Sequence, residues 1–346
     1  MKNKKALLLI LVIVLIAGSL AGCKSKENDK PIARIEDNSK EIESISTSTE
    51  DMMDEYGIII TDDTVQFTDG RNEEVTINKN PERAVVLFAS FANIWVRNGG
   101  DMVGMVEPSN EDFIPGTDHV ETLGKQGSIS LEKVIALEPD LVVLSYNTKS
   151  HLDMIPALEE NNIPIMVLDY QFKDDYFKIS KIFAALNDNM EVYEQDTKVV
   201  KEETQRIIDN VPKDKELKVL IIMATKNNIN ARNSETTIGE MFKDLNTINI
   251  ADSSNDTLSD KNFSLEKIIE EDPDFIFVQA MGSDMAAIEE RLINDVKSNP
   301  AWSSLSAVKN DRYILLDKSL YTYKANERYA EAYEELAKIL YPEVFK

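Results

Sequence analysis

One pattern of residues occurs twice in this chain. Residues 130–145 read SLEKVIALEPDLVVLS, and residues 264–279 read SLEKIIEEDPDFIFVQ. In each copy a serine precedes a short amphipathic segment, as the N-cap residue of a helix does, and Pro-Asp separates this segment from an apolar run. Each copy therefore predicts a short helix followed by a buried strand. Two copies of the same unit, placed this far apart, indicate a molecule of two similar lobes.

The N-terminal residues 1–22 predict a secretion signal rather than a part of the fold. Lysines near the start precede an apolar run over 7–16, which is shorter than the roughly 20 residues that a membrane-spanning helix needs. The residues Leu-Ala-Gly-Cys at 20–23 resemble a bacterial lipobox, which implies cleavage after residue 22 and a lipid on Cys23. The alternative is an ordinary signal peptide in which the cysteine occurs by chance.

Composition narrows the classes of function. Residues 23–55 are polar and lack a persistent apolar pattern, which predicts a disordered tether. The formal net charge of −24 argues against nucleic-acid binding, because proteins that bind nucleic acid are basic, and it leaves the lipid as the expected membrane contact. Cys23 is the only cysteine, so the chain has no internal disulfide and no cysteine-based metal or redox site.

From residue 56 onward, apolar strand patterns alternate with helical ones. The pattern predicts a hairpin around Asp69-Gly70 and then an α/β fold: two Rossmann-like lobes with mostly parallel sheets, joined by one long helix, with a ligand cleft between them. We expect the N-terminal lobe over 56–188, the connecting helix over 189–212 and the C-terminal lobe over 213–346. The connecting segment is mostly polar and has no Gly or Pro before Pro212.

An enzyme is not indicated. The two histidines, His119 and His151, lie outside any HExxH motif, and the chain contains neither GxSxG nor a P-loop. Nucleophiles with a partnering base are not recognisable, and a direct zinc or manganese site normally needs several His or Cys ligands. We therefore predict a protein that is not an enzyme, has no intrinsic cofactor and holds no metal directly.

Ligands of open α/β sheets bind beyond the carboxyl ends of the strands, so the loops after strands supply the candidate binding residues. Aromatic side chains there offer contact area, and Lys or Arg recognises carboxylates or phosphates. The candidates are Phe91, Lys125, Tyr146, Lys149, Tyr170, Lys226, Arg232, Phe263, Met281, Tyr321 and Tyr323.

Two glutamates occupy the same position in the repeat. The apolar residues of each predicted helix share one face, so Glu132 and Glu266 point outward in the first turn, where the helix dipole favours a negative charge. From physics alone, each is a surface residue that helps its helix to begin. The other interpretation is that each glutamate is an exposed contact for a partner protein.

Over about residues 80–342, the chain resembles the substrate-binding proteins of ABC importers for ferric siderophores, haem and cobalamin. The resemblance is carried by RAVVLFASFANIWVRNGGDMVGMV, LGKQGSISLEKVIALEPDLVVLS, SLEKIIEEDPDFIFVQ and NPAWSSLSAVKNDRYILLD. It implies one long helix between the lobes, modest opening and closing, and a Glu in each SLEK segment that forms salt bridges with the two permease subunits. These glutamates are Glu132 and Glu266. The segment 224–239 departs from the family pattern, which leaves the role of Arg232 in doubt.

The resemblance implies a monomeric, lipid-anchored protein on the extracytoplasmic face of the membrane, and we expect a Gram-positive surface. It would capture an iron chelate of the ferric siderophore type and deliver it to an ABC permease dimer with its ATPase. One alternative is a haem- or cobalamin-binding protein of the same transporter class. Another, from a different class, is a surface enzyme or sensor that acts on a metal complex. In these binding-protein interpretations, the ligand is a ferric chelate or a tetrapyrrole.

Overall fold

The described residues form three β-sheets. The computed structural model describes residues 53–108, 114–253 and 265–346. The strands are β1 Ile59–Ile60, β2 Thr64–Thr68, β3 Glu74–Asn78, β4 Ala84–Val86, β5 Gly104–Met105, β6 Glu121–Thr122, β7 Leu141–Ser145, β8 Ile165–Leu168, β9 Leu217–Ala224, β10 Ile229–Ala231, β11 Thr247–Asn249, β12 Phe275–Ala280 and β13 Tyr313–Leu315.

Helices cover the sheets and connect the strands. The α-helical segments are Ala89–Arg97, Leu131–Ala136, Lys149–Leu152, Ile155–Glu160, Lys173–Leu186, Met190–Val192, Lys198–Asp209, Thr237–Asp244, Leu265–Glu271, Met285–Leu292, Ser306–Lys309, Lys318–Tyr321 and Tyr329–Leu340. Turns of π-helix span Tyr193–Thr197 and Ile293–Lys297, and 3-10 turns span Ile250–Ser253, Trp302–Ser304 and Asn326–Arg328.

Each lobe has one mostly parallel sheet. The N-terminal sheet has the order β6-β5-β4-β7-β8, and all its pairs are parallel. The C-terminal sheet has the order β10-β9-β12-β13, with β11 also paired to β9; β10 is its antiparallel strand. The predicted hairpin is confirmed as β2 and β3, and β1 extends it to a third small sheet. The predicted two-lobed α/β class is therefore confirmed.

The repeat supplies an interior strand of both large sheets. Its strands, β7 and β12, each have a parallel neighbour on both sides, which explains why every residue of both strands is buried. The Oγ of Ser130 accepts a hydrogen bond from the backbone N–H of Lys133 at 3.3 Å, so the predicted N-cap is confirmed in the first copy. The matching serine, Ser264, lies outside the described residues.

The aspartate after the repeat proline ties each copy to the neighbouring strand. Asp140 accepts hydrogen bonds from the backbone N–H groups of Glu82 and Arg83, at 2.7 and 3.0 Å, just before β4 begins. Asp274, at the matching position, accepts one from the N–H of Lys218 in β9 at 2.9 Å. Pro-Asp therefore both ends a helix and fixes the start of the adjacent strand, since these N–H groups need acceptors.

A basic side chain completes the same arrangement in both lobes. Arg83 Nε donates to the carbonyl of Leu137 at 3.0 Å, and Lys218 Nζ donates to the carbonyl of Glu271 at 3.1 Å. Both carbonyls belong to the C-terminal ends of the repeat helices, where backbone acceptors have no partner within the helix. The two lobes thus have equivalent hydrogen bonds at this position as well as the same chain path.

The segment between the lobes is helical from Met190 to Asp209, with the π-helical turn inside it. It packs against the C-terminal helix Tyr329–Leu340, so two helices from distant parts of the chain lie together. Thr197 in the π-helical turn is buried and its Oγ1 lies 2.7 Å from Ser180 Oγ in the N-terminal lobe. The otherwise polar connecting helix is therefore fixed by a buried hydroxyl pair.

The folded region begins a little earlier than the sequence indicates. Asp54 and Glu55, which the predicted tether includes, are bonded to the fold: Asp54 pairs with Lys181 at 2.7 Å and Glu55 with Lys201 at 2.8 Å. Local polar composition does not reveal such distant partners. The predicted signal peptide, Cys23 and residues 24–52 of the predicted tether lie outside the described residues. Within the part of the chain that the structure describes, no helix is long and apolar enough to cross a membrane.

A buried histidine makes the N-terminal lobe sensitive to acid. His151 is fully buried; its Nδ1 accepts the backbone N–H of Ser145 at 3.0 Å, and its Nε2 has no hydrogen-bond partner among the described residues. Burial lowers the pKa of His151 from 6.5 to about 4. The unfolded chain therefore binds more protons than the folded one between these values, so stability falls as the pH falls.

We predict that the unfolding free energy falls by about 2 kcal/mol from pH 7 to pH 5, because His151 takes up a proton when the chain unfolds. His151→Gln, which keeps an acceptor but cannot become charged, should flatten this pH dependence in urea unfolding. His119→Gln is the matched control, because His119 is exposed and pairs with Asp101 at the surface. Equal slopes for the wild type and His151→Gln would contradict the prediction.

Candidate functional site

A cleft of about 1490 Å³ lies between the two large sheets, at the carboxyl ends of their parallel strands. Its walls come from the ends of β4, β5, β6, β7 and β8 in the N-terminal lobe and of β9, β12 and β13 in the C-terminal lobe, and from the segments that follow them. This is where open α/β sheets bind ligands, because the turns at that edge are free to vary. The volume exceeds the usual range of roughly 300–1,000 Å³ for small-molecule pockets.

The repeat supplies matching positions on opposite walls. Ser145 and Gln279 are the last residues of the two copies; both line the cleft and both are buried. The Nε2 of Gln279 donates to the carbonyl of Tyr321, whereas its Oε1 has no partner among the described residues. An unpaired buried acceptor is costly, so Gln279 Oε1 is suited to accept a hydrogen bond from a bound molecule or water.

The cleft is richer in cations than the protein as a whole. Five cationic and four acidic side chains line it, whereas the whole chain carries a net charge of −24. The cations are Lys125, Arg232, Lys318, Lys324 and Arg328, and the acids are Glu107, Glu235, Asp317 and Glu327. A concave site with this balance in an otherwise acidic protein favours an anionic ligand locally.

Some of these charges are already paired. Arg328 binds both carboxylate oxygens of Glu331, at 2.6 and 2.8 Å, and Glu327 lies 3.4 Å from Arg97 of the N-terminal lobe. The Arg328–Glu331 pair fixes the guanidinium at the cleft wall. The Glu327–Arg97 pair joins the segment before the C-terminal helix to the other lobe.

Six of the predicted binding residues line the cleft. They come from both lobes and include three aromatic rings and two cations. They are Lys125, Tyr170, Arg232, Met281, Tyr321 and Tyr323. Predicted residue Phe263 lies outside the described residues.

Phe91 does not reach the cleft surface. The helix after β4 begins at Ala89, so Phe91 lies inside it and its side chain is fully buried in the core. Its ring stacks under that of Tyr170, with centroids 6.3 Å apart. The sequence predicts a helix capped by Ser90, but the helix begins at Ala89 and places Phe91 on its inward face. The preceding residue, Ser90, lines the cleft instead.

Tyr146, Lys149 and Lys226 also lie away from the cleft lining. Ser145 and Asn147 line the cleft, whereas Tyr146 between them lies in a turn and does not. Lys149 is exposed and pairs with Asp153 at 2.8 Å. Lys226 is exposed in the turn between β9 and β10.

Further cleft residues lie after β6 and β13, within β12, and in the helix after β4. Ser90, Gln126, Gln279 and Lys324 belong to the segments after strands that the sequence selects, and they line the cleft, as do Asn93, Lys318 and Arg328. The signal that selects Tyr321 and Tyr323, their place after the last strand, applies equally to Lys324 and Arg328. Within the described ranges, no group of three His, Cys, Asp or Glu side chains could hold a metal ion.

A buried aromatic and amide cluster forms the floor of the cleft. Tyr170 of the N-terminal lobe donates its hydroxyl to Asn326 Oδ1 at 2.9 Å, and Asn326 Nδ2 lies 3.4 Å from Asn93 Oδ1. The ring of Tyr329 packs against Tyr176, with centroids 5.7 Å apart. Burial raises the pKa of Tyr170, so its hydroxyl stays a donor at ordinary pH. The start of the C-terminal helix is thereby fixed to the opposite lobe.

An ion-pair cluster also joins the lobes. Lys173 of the N-terminal lobe lies 2.8 Å from Asp244 and 3.6 Å from Glu240, both on the helix Thr237–Asp244 of the C-terminal lobe. Burial by itself would lower the pKa of Lys173, but the hydrogen bond and charge of Asp244 raise it overall. Burial raises the pKa of Glu240, which Lys173 partly offsets. Lys173 therefore neutralises two carboxylates that are removed from water.

The repeat glutamates are placed at equivalent surface positions. Glu132 and Glu266 are both exposed, and each lies in the first turn of its repeat helix. Neither lines the cleft. Their arrangement separates a surface that could meet a partner from the walls that could meet a ligand.

Residues 94–320 match the family described as periplasmic binding protein. The chain belongs to the periplasmic binding protein family. It is 29% identical over 288 residues to the uncharacterized ABC transporter substrate-binding lipoprotein YvrC of Bacillus subtilis, which covers 82% of this chain and 87% of that relative. It is 22% identical to the Fe(3+)-citrate-binding protein YfmC of the same species, over 92% of each chain.

A solved structure shares this architecture. The ABC transporter substrate-binding protein from Listeria monocytogenes EGD-e superposes with a TM-score of 0.64 at 24% identity, covering 76% of this chain and 100% of that one. The periplasmic binding protein fold therefore accounts for the two lobes and the cleft between them.

We predict that Lys173→Met lowers the unfolding free energy by about 2 kcal/mol at pH 7, because two partly buried carboxylates lose their counter-charge. Urea unfolding measures the change. Lys198→Met is the control: Lys198 makes an exposed ion pair with Glu194, and its loss should cost no more than about 0.5 kcal/mol. Equal losses in the two variants would show that the Lys173 cluster does not stabilise the fold.

Proposed function

We propose that this protein is the solute-binding component of an ABC importer and that it captures an iron chelate of the ferric siderophore type. The observation that carries the proposal is the cleft between the lobes, whose lining is rich in cations although the protein is acidic. Capture is by binding and not by catalysis. The side chains proposed to contact the ligand are Lys125, Tyr170, Arg232, Met281, Tyr321 and Tyr323.

The size of the cleft supports a chelate over a bare ion. A volume of about 1490 Å³ is far larger than a metal ion requires, and aromatic rings with cations suit a large organic anion. The printed names of the relatives also support this class: one is an ABC transporter substrate-binding lipoprotein, and the other is an Fe(3+)-citrate-binding protein.

The predicted anchor supports an extracytoplasmic location. Cys23 would carry the lipid, and the polar residues after it would let the binding domain reach the permease from the outer face of the membrane. One lipid with neighbouring lysines Lys24 and Lys26 gives surface attachment and leaves the domain in solvent. We also propose that the protein is a monomer and that it is attached to the surface of a Gram-positive cell.

The proposed function is tested by titrating the purified protein with ferric citrate, ferrioxamine B, ferric enterobactin, haemin and cyanocobalamin. Isothermal titration calorimetry is preferable to tryptophan fluorescence, since Trp95 and Trp302 are buried and neither lines the cleft. We expect at least one ferric chelate to bind in a 1:1 complex. Tighter binding of haemin or cyanocobalamin than of any chelate would favour the tetrapyrrole alternative, and turnover of the ligand would favour an enzyme.

We propose that Glu132 and Glu266 dock the loaded protein onto basic sites of the two permease subunits. The charge-reversed variant Glu132→Lys/Glu266→Lys should lose at least about tenfold in cellular uptake of the chelate, because like charges across an interface cost several kcal/mol. Its affinity for the chelate should stay within about twofold of the wild type, since neither residue lines the cleft.

The control carries the same charge change elsewhere. Glu160→Lys/Glu290→Lys alters one exposed glutamate of each lobe outside the repeat. Uptake by this variant should equal that of the wild type. Normal uptake by the Glu132/Glu266 variant, or equal losses in both variants, would contradict the docking proposal.

A further inference from the structure

Lys324 occupies a distinctive place in the cleft. It lines the cleft just before the segment that fixes the C-terminal helix to the N-terminal lobe. Its Nζ donates to the carbonyl of Gln171 in the N-terminal lobe at 2.8 Å and to Thr237 Oγ1 in the C-terminal lobe at 3.0 Å. Thr237 Oγ1 itself donates to the same carbonyl at 2.7 Å. The ammonium group therefore lies at the junction of the two lobes.

The position of the Lys324 ammonium group is set by neutral partners. Its Nζ lies 4.6 Å from the centroid of the Tyr170 ring, which orients the side chain. Among the residues that the structure describes, no carboxylate lies within ion-pair distance of this nitrogen. An ammonium has three donors, and two of them are used by Gln171 and Thr237.

The carboxylates that face this region already have other donors. Asp169 accepts from Asn147 at 2.6 Å, and Asp175 accepts the backbone N–H groups of Gln171 and Phe172 at 2.9 and 2.8 Å. Glu240 lies beside Lys173, as described above. A positive charge that is half-buried at the end of a cleft and lacks a close counter-charge is unusual, since buried charges are normally paired.

We propose that Lys324 holds an anionic oxygen of the ligand at the junction of the lobes, so that the cargo is a chelate with a free carboxylate or similar group. This inference rests on the proposed function and specifies the chemistry of its ligand. The third N–H of Lys324 supplies the hydrogen bond, and the anion supplies the missing counter-charge. Because Nζ is fixed to both lobes, it presents this donor without further ordering of the side chain.

The acid–base behaviour of Lys324 gives the site a signature. Burial lowers the pKa of Lys324 to about 8, against the raising effects of Asp175, Asp169 and Glu240. Below this value the group is an ammonium that attracts an anion; above it the amine is neutral and the attraction is lost. Affinity for an anion should therefore fall as the pH rises from 7 to 9.

The experiment compares Lys324→Met, Lys324→Arg and Lys338→Met with the wild type. Methionine keeps an apolar stem against Tyr170 but has no charge, and arginine keeps the charge at every pH used. Lys338→Met is the control for the loss of one charge, because Lys338 pairs with Glu334 on the C-terminal helix, away from the cleft. Thermal unfolding checks that each variant is folded.

The probes are ferric citrate, which has free carboxylates, and ferrioxamine B, a hydroxamate chelate without them. We expect the wild type to prefer ferric citrate and Lys324→Met to bind it roughly ten- to one-hundred-fold more weakly, as the loss of a hydrogen bond to a charged group implies. Lys338→Met should bind it like the wild type. Relative to Lys324→Arg, the wild type should lose up to about tenfold in affinity between pH 7 and pH 9.

Two results would overturn the inference while the proposed function remained: a preference for ferrioxamine B, or equal affinity of Lys324→Met and the wild type for ferric citrate. A wild type that bound no ferric chelate would overturn the proposed function, and this inference with it. The two failures are distinguishable because the first leaves the wild type binding a ferric chelate, whereas the second leaves it binding none.

Discussion

The contact on which the cleft depends is the buried junction between the C-terminal helix and the N-terminal lobe. Tyr329, the first residue of that helix, is fully buried, and its ring packs against Tyr176 and Phe177 of the other lobe. Large aromatic side chains contribute much of the free energy of such a contact. Asn326 and Tyr170 add a hydrogen bond that water does not reach. The chain crosses between lobes at the connecting helix and is joined again here, so the walls have a fixed base.

The repeated unit can be predicted from the sequence because each of its signals is local. Apolar spacing predicts the helix, the continuous apolar run predicts a strand buried on both faces, and Pro-Asp marks the break between them. The structure adds a role that the pattern does not show: Asp140 and Asp274 fix the start of the neighbouring strand. That role depends on a partner more than 50 residues away, as the separations of 58 and 56 residues show.

The site could be predicted in outline but not residue by residue. The rule that loops after strands carry the site is enough to select Tyr170, Arg232 and Tyr321, which line the cleft. It fails for Phe91, which lies inside a helix and faces the core, and for Tyr146, which lies in a turn between two cleft-lining residues. Lys324 follows the last strand as Tyr321 does, but its hydrogen bonds to Gln171 and Thr237 depend on distances between the lobes that no local pattern encodes.

The way in which the lobes are joined has a consequence for ligand release. Separating them would break the Lys173–Asp244 ion pair and the Lys324 hydrogen bonds. A widely open form is therefore high in free energy whether or not the cleft is filled, and a ligand shifts the equilibrium only by its differential affinity for the two forms. Opening of the lobes to release a bound molecule would therefore cost free energy. Release of a bound molecule would then depend on an external contact that stabilises the separated lobes.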